Sequence, residues 1–98
     1  MVMSAYIIAL IEIHDQDEYQ KYLEGFGEIF SQYNGEVLVV DDAPTVLEGQ
    51  WSYTRTVVIR FSDENEAKRW YESDQYQALA QYRFRASRAN LVLVKGRN

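Results

Sequence analysis

From Ser4 to Ile13 the chain reads as a strand whose two alternating sets are both apolar. Tyr6, Ile8 and Leu10, with Glu12, fall on one side, and Ile7, Ala9, Ile11 and Ile13 on the other. A strand with one wet face needs only one apolar set, so this strand is expected inside a sheet covered on both faces. The chain has 98 residues and is read as a single domain over residues 1–98. A domain of this size buries only about 60 to 65% of its unfolded surface. Its own helices are expected to cover one sheet face, and a second copy of the chain the other.

The remaining elements follow from periodicity and caps. Asp15 with Glu18 has the spacing of a helix-starting pair, and Tyr19, Tyr22, Leu23, Phe26, Ile29, Phe30 and Tyr33 recur at helical spacing. This predicts an amphipathic helix to Tyr33, stopped at Asn34-Gly35 by a left-handed residue. Glu36 to Val40 predicts a second strand, ended by Asp41-Asp42-Ala43-Pro44, with a loop to Gln50. Ser52 to Phe61 alternates and predicts a third strand. Asp63 with Glu66 opens a second helix carrying Ala67, Trp70 and Tyr71 on one face. Ser73-Asp74 interrupts it, and helical spacing resumes with Tyr76, Leu79, Ala80, Arg83, Phe84 and Ala86, which predicts two helical pieces or one bent helix, re-capped at Ser73 or Asp74. Leu91 to Val94 predicts the last strand. The order strand, helix, strand, strand, helix, strand is the split βαβ pattern of an α+β ferredoxin-like sandwich with an antiparallel four-stranded sheet. With the doubly apolar first strand, it predicts a homodimer built as a dimeric α/β barrel.

Charge and composition remove several functions. The chain carries ten Lys and Arg against fifteen Asp and Glu, a net charge of -5, which argues against nucleic acid, whose binding rests on neutralising phosphates. The charge is unevenly placed. Residues 1 to 49 hold ten acidic groups and one base, for -9, whereas residues 50 to 98 hold five acidic groups and nine bases, for +4. Helices of opposite charge are expected to lie together, within or across subunits, the alternative being a cationic site in the second half. No cysteine and one histidine leave no Cys-based or His-rich metal site within one chain. No dinucleotide or phosphate-loop glycine pattern occurs, and no cofactor is expected. The apolar run Tyr6–Ile11 falls far short of the roughly 20 residues of a membrane span, and no basic leader precedes it. No membrane partner and a cytoplasmic location are therefore expected.

The motifs also resemble a known family. Tyr6 with Glu12-Ile13, Asp15, Tyr19-x-x-Tyr22, Tyr33-Asn34-Gly35, Leu47-Glu48-Gly49, Arg55 to Phe61, Ala67, Trp70-Tyr71-x-Ser73, Tyr76-Gln77 and Arg83 together resemble the DUF1330 family. The most specific stretch is Trp70 to Gln77 followed by Arg83, similar to the family's WY-x-S-x-x-YQ segment and its later arginine. The resemblance implies a ferredoxin-like fold of the dimeric α/β barrel superfamily and leaves the activity undefined. The chain departs from the family at three places. Val39-Val40-Asp41-Asp42 stands where an arginine and paired glycines are usual, Asn34-Gly35 replaces Gly-Gly, and Ser62-Asp63 replaces a frequent proline. The acidic pair favours a different ligand charge there.

Arg83 is the most informative residue. It shares a helical stripe with Leu79 and Ala80, where a charge is costly unless paired. Glu48 and Glu12 are its candidate carboxylate partners; the alternative is a small organic anion held in two-point contact by the guanidinium fork. The expected pocket gathers Arg83, Tyr76, Ser73, Glu48, Trp51 and Arg55. Gly49 allows positive φ in the loop carrying Glu48 and Trp51, a loop that either frames a pocket mouth or packs Trp51 into a dimer contact. Ser73 offers a hydroxyl to a ligand or, alternatively, caps a helix. His14, at a strand-to-helix junction, and Glu48 are the candidates for a catalytic base, if the chain acts as the cofactor-independent oxygenases and decarboxylases of related dimeric barrels do. The other readings are a surface histidine and a structural or regulatory dimer without ligand.

Overall fold

A computed structural model describes residues 3–97. Its elements run β1 (Ala5–Ile13), α1 (Gln16–Phe30), β2 (Gly35–Asp41), β3 (Arg55–Phe61), α2 (Glu64–Tyr71), α3 (Asp74–Ala86) and β4 (Ser87–Lys95). The four strands form one sheet in the order β2-β3-β1-β4, with every pair antiparallel. This is the expected α+β ferredoxin-like arrangement, with the doubly apolar β1 in the interior.

Each helix begins where its cap spacing places it. The side chains of Asp15, Asp63 and Ser73 accept from the backbone N–H of Glu18, Glu66 and Tyr76, respectively, satisfying donors that a helix N-terminus leaves free. The first helix, however, stops at Phe30 and not at Tyr33, and Gly35 is the first residue of β2. Gly49 is the only residue with positive φ among those described, so no left-handed stop occurs at Asn34-Gly35. The chain turns tightly there instead, with the Gly35 N–H donating to Tyr33 O at 3.0 Å, and tertiary bonds hold the turn. The Asn34 N–H donates to Glu66 Oε2 at 2.8 Å, and the Asn34 carbonyl accepts from Ser62 N–H at 3.2 Å. Glycine is needed at 35 for space: a Cβ there would lie 2.6 Å from Phe30 Cζ and 2.8 Å from Phe61 Cε1.

The other strand limits also move. β3 starts at Arg55, because Thr54 leaves the ladder to donate its N–H to Ile11 O at 2.8 Å and accept the Ile13 N–H on its hydroxyl at 2.9 Å. β4 begins as soon as α3 ends, where the Ala86 carbonyl takes both the His14 and Asp15 N–H groups. Its first half alternates small Ser87 and Ala89 with polar Arg88 and Asn90, a pattern too weak in apolar residues to announce a strand.

All three helices lie on one sheet face. That face carries Ala5, Ile7, Ala9 and Ile11 of β1, with Ile59 and Phe61 of β3. α2 and α3 close it around Trp70, Tyr76 and Ala80, all buried. The aromatic rings interlock, with Trp70 centred 4.1 Å from Tyr76, 5.5 Å from Phe61 and 5.7 Å from Phe30, and such pairs add about 0.5 to 1.5 kcal/mol each beyond area burial. α1 packs chiefly against α3 and stands off the β2 side of the sheet. The acidic first half and basic second half meet at this helix pair, where Arg85 Nε donates to Glu18 Oε2 at 2.8 Å. The opposite sheet face, with Ile8 between Val58 and Val92 in register, is covered by no helix or strand among the described residues.

Candidate functional site

The stand-off between α1 and the sheet leaves a cavity of about 220 Å³. Its floor is the inward set of the sheet, including Ile7, Ala9 and Ile11 of β1, Val57 and Ile59 of β3, and Val37 and Val40 of β2. Val37 and Val40 both face inward although three residues apart, because an irregularity between Val37 and Val39 shifts the register of β2 against β3. Tyr19, Tyr22, Leu23 and Phe26 of α1 form one wall, and Trp70 and Arg83 complete it.

Arg83 is only 3% exposed. Its place on the Leu79–Ala80 face of α3 turns it inward, and its guanidinium centre lies 5.8 Å from the Tyr22 ring and 5.0 Å from the Phe84 ring. Ring faces attract a cation, but they accept no strong hydrogen bonds, and Arg83 Nε and Nη2 are buried without a hydrogen-bond partner. A guanidinium stays charged at any accessible pH, so a buried one without a carboxylate costs several kcal/mol, on the order of the penalty per desolvated ion.

Neither expected carboxylate reaches it. Glu12 belongs to the alternating set that faces away from the helices, opposite Arg88 on β4, and Glu48 is exposed in the 42–54 loop. Arg55 lines the cavity too, 5.5 Å from the Tyr19 ring. Its fork is occupied, however: Nε and Nη2 donate to the two carboxylate oxygens of Asp42 at 2.7 and 3.0 Å. The two cations therefore differ, one neutralised at the edge and one free of any acid inside.

Behind Arg83, the Tyr22 and Tyr76 hydroxyls share a buried hydrogen bond of 2.7 Å. Burial pushes the Tyr22 phenol well above its ordinary value. It raises that of Tyr76 as well, against the neighbouring Arg83 charge, which pulls it down. Both therefore remain protonated at neutral pH, and a pair with two protons and one mutual bond keeps one proton to donate elsewhere.

The expected pocket residues thus separate. Arg83 and Arg55 come together at the cavity, with Tyr76 joined to it through Tyr22. Ser73 does not, because its hydroxyl donates to Trp70 O at 2.8 Å and accepts from Tyr76 N–H at 3.1 Å as the cap of α3. Glu48 and Trp51 stay in the exposed loop, where Trp51 meets Tyr53 edge-on at 5.2 Å. Gly49 has φ +83°, but no group within 4 Å would meet a Cβ there, so its conformation and not a close approach calls for glycine. His14 is exposed and uses its backbone N–H on Ala86 O. Pattern reading favours core over ligand stacking for Tyr19, Tyr22 and Trp70, which stand at helical spacing; the structure places all three on the cavity, with the Nε1 of Trp70 buried without a partner. The Tyr19-x-x-Tyr22 spacing put both tyrosines on one helix face but could not say that this face meets a void.

The family model described as a domain of unknown function, DUF1330, matches residues 4–97. The chain belongs to the DUF1330 family. Solved structures agree on the fold. A protein of unknown function from Rhodopseudomonas palustris superposes with a TM-score of 0.81 at 12% identity, covering 100% of this chain and 85% of the other. SnoaB, a cofactor-independent oxygenase from Streptomyces nogalater, gives 0.68 at 14% identity, over 99% of this chain and 96% of that one. A dimeric ferredoxin-like protein of unknown function from Thermobifida fusca gives 0.67 at 14% identity, over 97% and 92%. No curated protein matches the chain. Among the described residues of this DUF1330 protein, no helix is long and apolar enough to cross a membrane.

Proposed function

We propose that this DUF1330 protein is a homodimer that binds a small organic anion in the cavity between its sheet and helices. One observation carries the reading: buried Arg83, with Nε and Nη2 of its fork unbonded, among the residues lining a largely apolar cavity whose other cation, Arg55, is already paired with Asp42. A carboxylate in two-point contact offsets the desolvation of such a fork and supplies the acceptors it lacks. The dimer rests on the uncovered face, where Ile8, Leu10, Val58 and Val92 stand together on the side away from the helices. The Thermobifida fusca neighbour, described as dimeric, supports the same assembly.

The enzymatic alternative, a cofactor-independent oxygenase or decarboxylase, draws on the fold it shares with SnoaB, and the two bases considered for it, His14 and Glu48, lie outside the cavity. A structural dimer without ligand is disfavoured because the chain's own side chains do not fill the cavity. Native mass spectrometry of gently purified protein tests both parts of the proposal. A dimer with a reproducible added mass is expected, and Ile8→Asp is expected to convert it to monomer. A monomeric wild-type protein would overturn the assembly, and a panel of organic acids that leaves Arg83→Gln and wild type equally unbound would overturn the anion site.

A further inference from the structure

The donors and acceptors around the cavity specify more than negative charge. The lining contains no Asp, Glu, Asn, Gln, Ser or Thr side chain. Its polar side chains are those of Arg83, Arg55, Trp70, Tyr19 and Tyr22, and Arg83 Nε and Nη2 and Trp70 Nε1 are buried without partners. A ligand bearing an amine or several hydroxyls would find only the phenol oxygens among the lining side chains to accept its donors, at about 1 to 3 kcal/mol for each group left unmet. The remaining surface is aliphatic on the sheet side and aromatic on the helix side, where Tyr22, Phe26 and Trp70 present rings. Volume sets the size. A cavity of about 150 Å³ takes a benzene ring, and drug-sized ligands need about 300 Å³ or more; the present one, at about 220 Å³ and open to solvent beside the exposed Leu23, Val37 and Val40, has room inside for one ring with one short substituent.

From these three constraints we infer that the ligand class is the single-ring aromatic monocarboxylate, its carboxylate held by Arg83 and its ring between the Phe26 side of α1 and the sheet, where Trp70 also lines the cavity. The inference rests on the anion-binding reading above and narrows it. Amino acids and sugars are disfavoured by their own donors. A carboxylate has about four lone-pair sites, enough to take the free N–H groups of the Arg83 fork.

The probe is benzoate, titrated into the full-length protein and followed by the two tryptophan indole N–H resonances in proton–nitrogen NMR. The Trp70 resonance is expected to move and saturate, while that of the exposed Trp51 stays in place. Benzamide, with the same ring and no charge, is expected to bind far more weakly, and Arg83→Gln to weaken benzoate by at least about 30-fold, as for truncation of a buried charge partner. Because the wild-type resonance is itself a readout, a variant that fails to fold does not remove the test. If aliphatic mono- or dicarboxylates move Trp70 and lose affinity in Arg83→Gln while benzoate does nothing, the aromatic class is overturned and the anion site stands. If no acid moves Trp70 at millimolar concentration, both fall. Benzoate that moves Trp51 instead overturns the assignment to this cavity.

Discussion

The helix-covered face of the sheet has two unlike halves. Under α2, Phe61, Trp70 and Tyr76 are buried so tightly that a single methyl at Gly35 has no room. Under α1, the same sheet face meets a void with a charged, unsatisfied guanidinium on its wall. Interiors normally pack at crystal-like density and pair their charges. The aromatic cluster around Trp70 follows the packing rule, although a crevice of about 190 Å³ opens beyond it between α2 and β4. The second half, side by side with it on shared strands, combines a void with an unpaired buried charge. A chain with a small core has little stability to spare, which is why the void and the bare cation, and not a motif, carry the proposed binding site.

The largest expected effect tests the packed half. Trp70 touches Phe26, Phe30, Phe61, Tyr71 and Tyr76, so Trp70→Ala removes the centre of the cluster and is expected to cost about 3 to 5 kcal/mol. Urea unfolding should show a lower midpoint at an unchanged slope. A loss below about 1 kcal/mol, the size of an ordinary surface or single-contact change, would mean that this half is as loose as the other and that the contrast is false.

The next prediction reverses the sign. Arg83→Met keeps most of the side-chain volume and replaces an unpaired buried charge by an apolar group. Exchanges of buried ionic groups for apolar ones range from neutral to about 1 to 4 kcal/mol stabilising. Thermal or urea unfolding should therefore show no loss, while benzoate binding disappears. Such a separation of stability from binding is the signature of a group retained for function. If Arg83→Met instead destabilises as strongly as Trp70→Ala, the guanidinium is a satisfied part of the core and the second half is not a site.

These halves were unequally legible in the sequence. Caps are local, so Asp15, Asp63 and Ser73 could be read from a three-residue spacing, and strand order followed from the order of elements. The inward placement of Arg83 was also visible, since Leu79 and Ala80 share its stripe. Its surroundings were not. Glu12 and Glu48 looked like partners because chain position says nothing of which sheet face or loop a carboxylate occupies, and the Tyr22–Tyr76 bond joins residues 54 positions apart. The end of α1 failed for a related reason: Asn34-Gly35 has the local chemistry of a left-handed helix stop, but Glu66 and Ser62, from elsewhere in the chain, bond Asn34 and lead it into β2 without a positive φ. A cavity has no sequence signature at all, because it is made by what α1 does not touch.

The smallest expected effect concerns how the loose half is held. Among the described residues of β2, only Gly35 and its neighbours approach the packed cluster, and Val37 to Val40 are largely exposed. This wall depends on its backbone ladder and on two exposed ion pairs, Glu36–Arg60 and Asp42–Arg55. Hydrogen bonds from Arg55 hold the Asp42 carboxyl below its ordinary value. A carboxyl with a lowered folded-state pKa stabilises the fold fully above its unfolded value, near 3.9, and loses that contribution as pH falls through the folded value. Asp42 is 59% exposed, so solvent screening limits the pair to less than about 1 kcal/mol. Asp42→Asn should therefore be slightly less stable than wild type at pH 7, and the difference should close as the pH is lowered through and below about 4, where the unfolded carboxyl titrates. Paired urea titrations across that range measure it. A difference that persists in acid would locate the contribution in the shape of the side chain and not its charge, and a loss comparable to that of Trp70→Ala would show the cavity wall to be as firmly built as the core beside it.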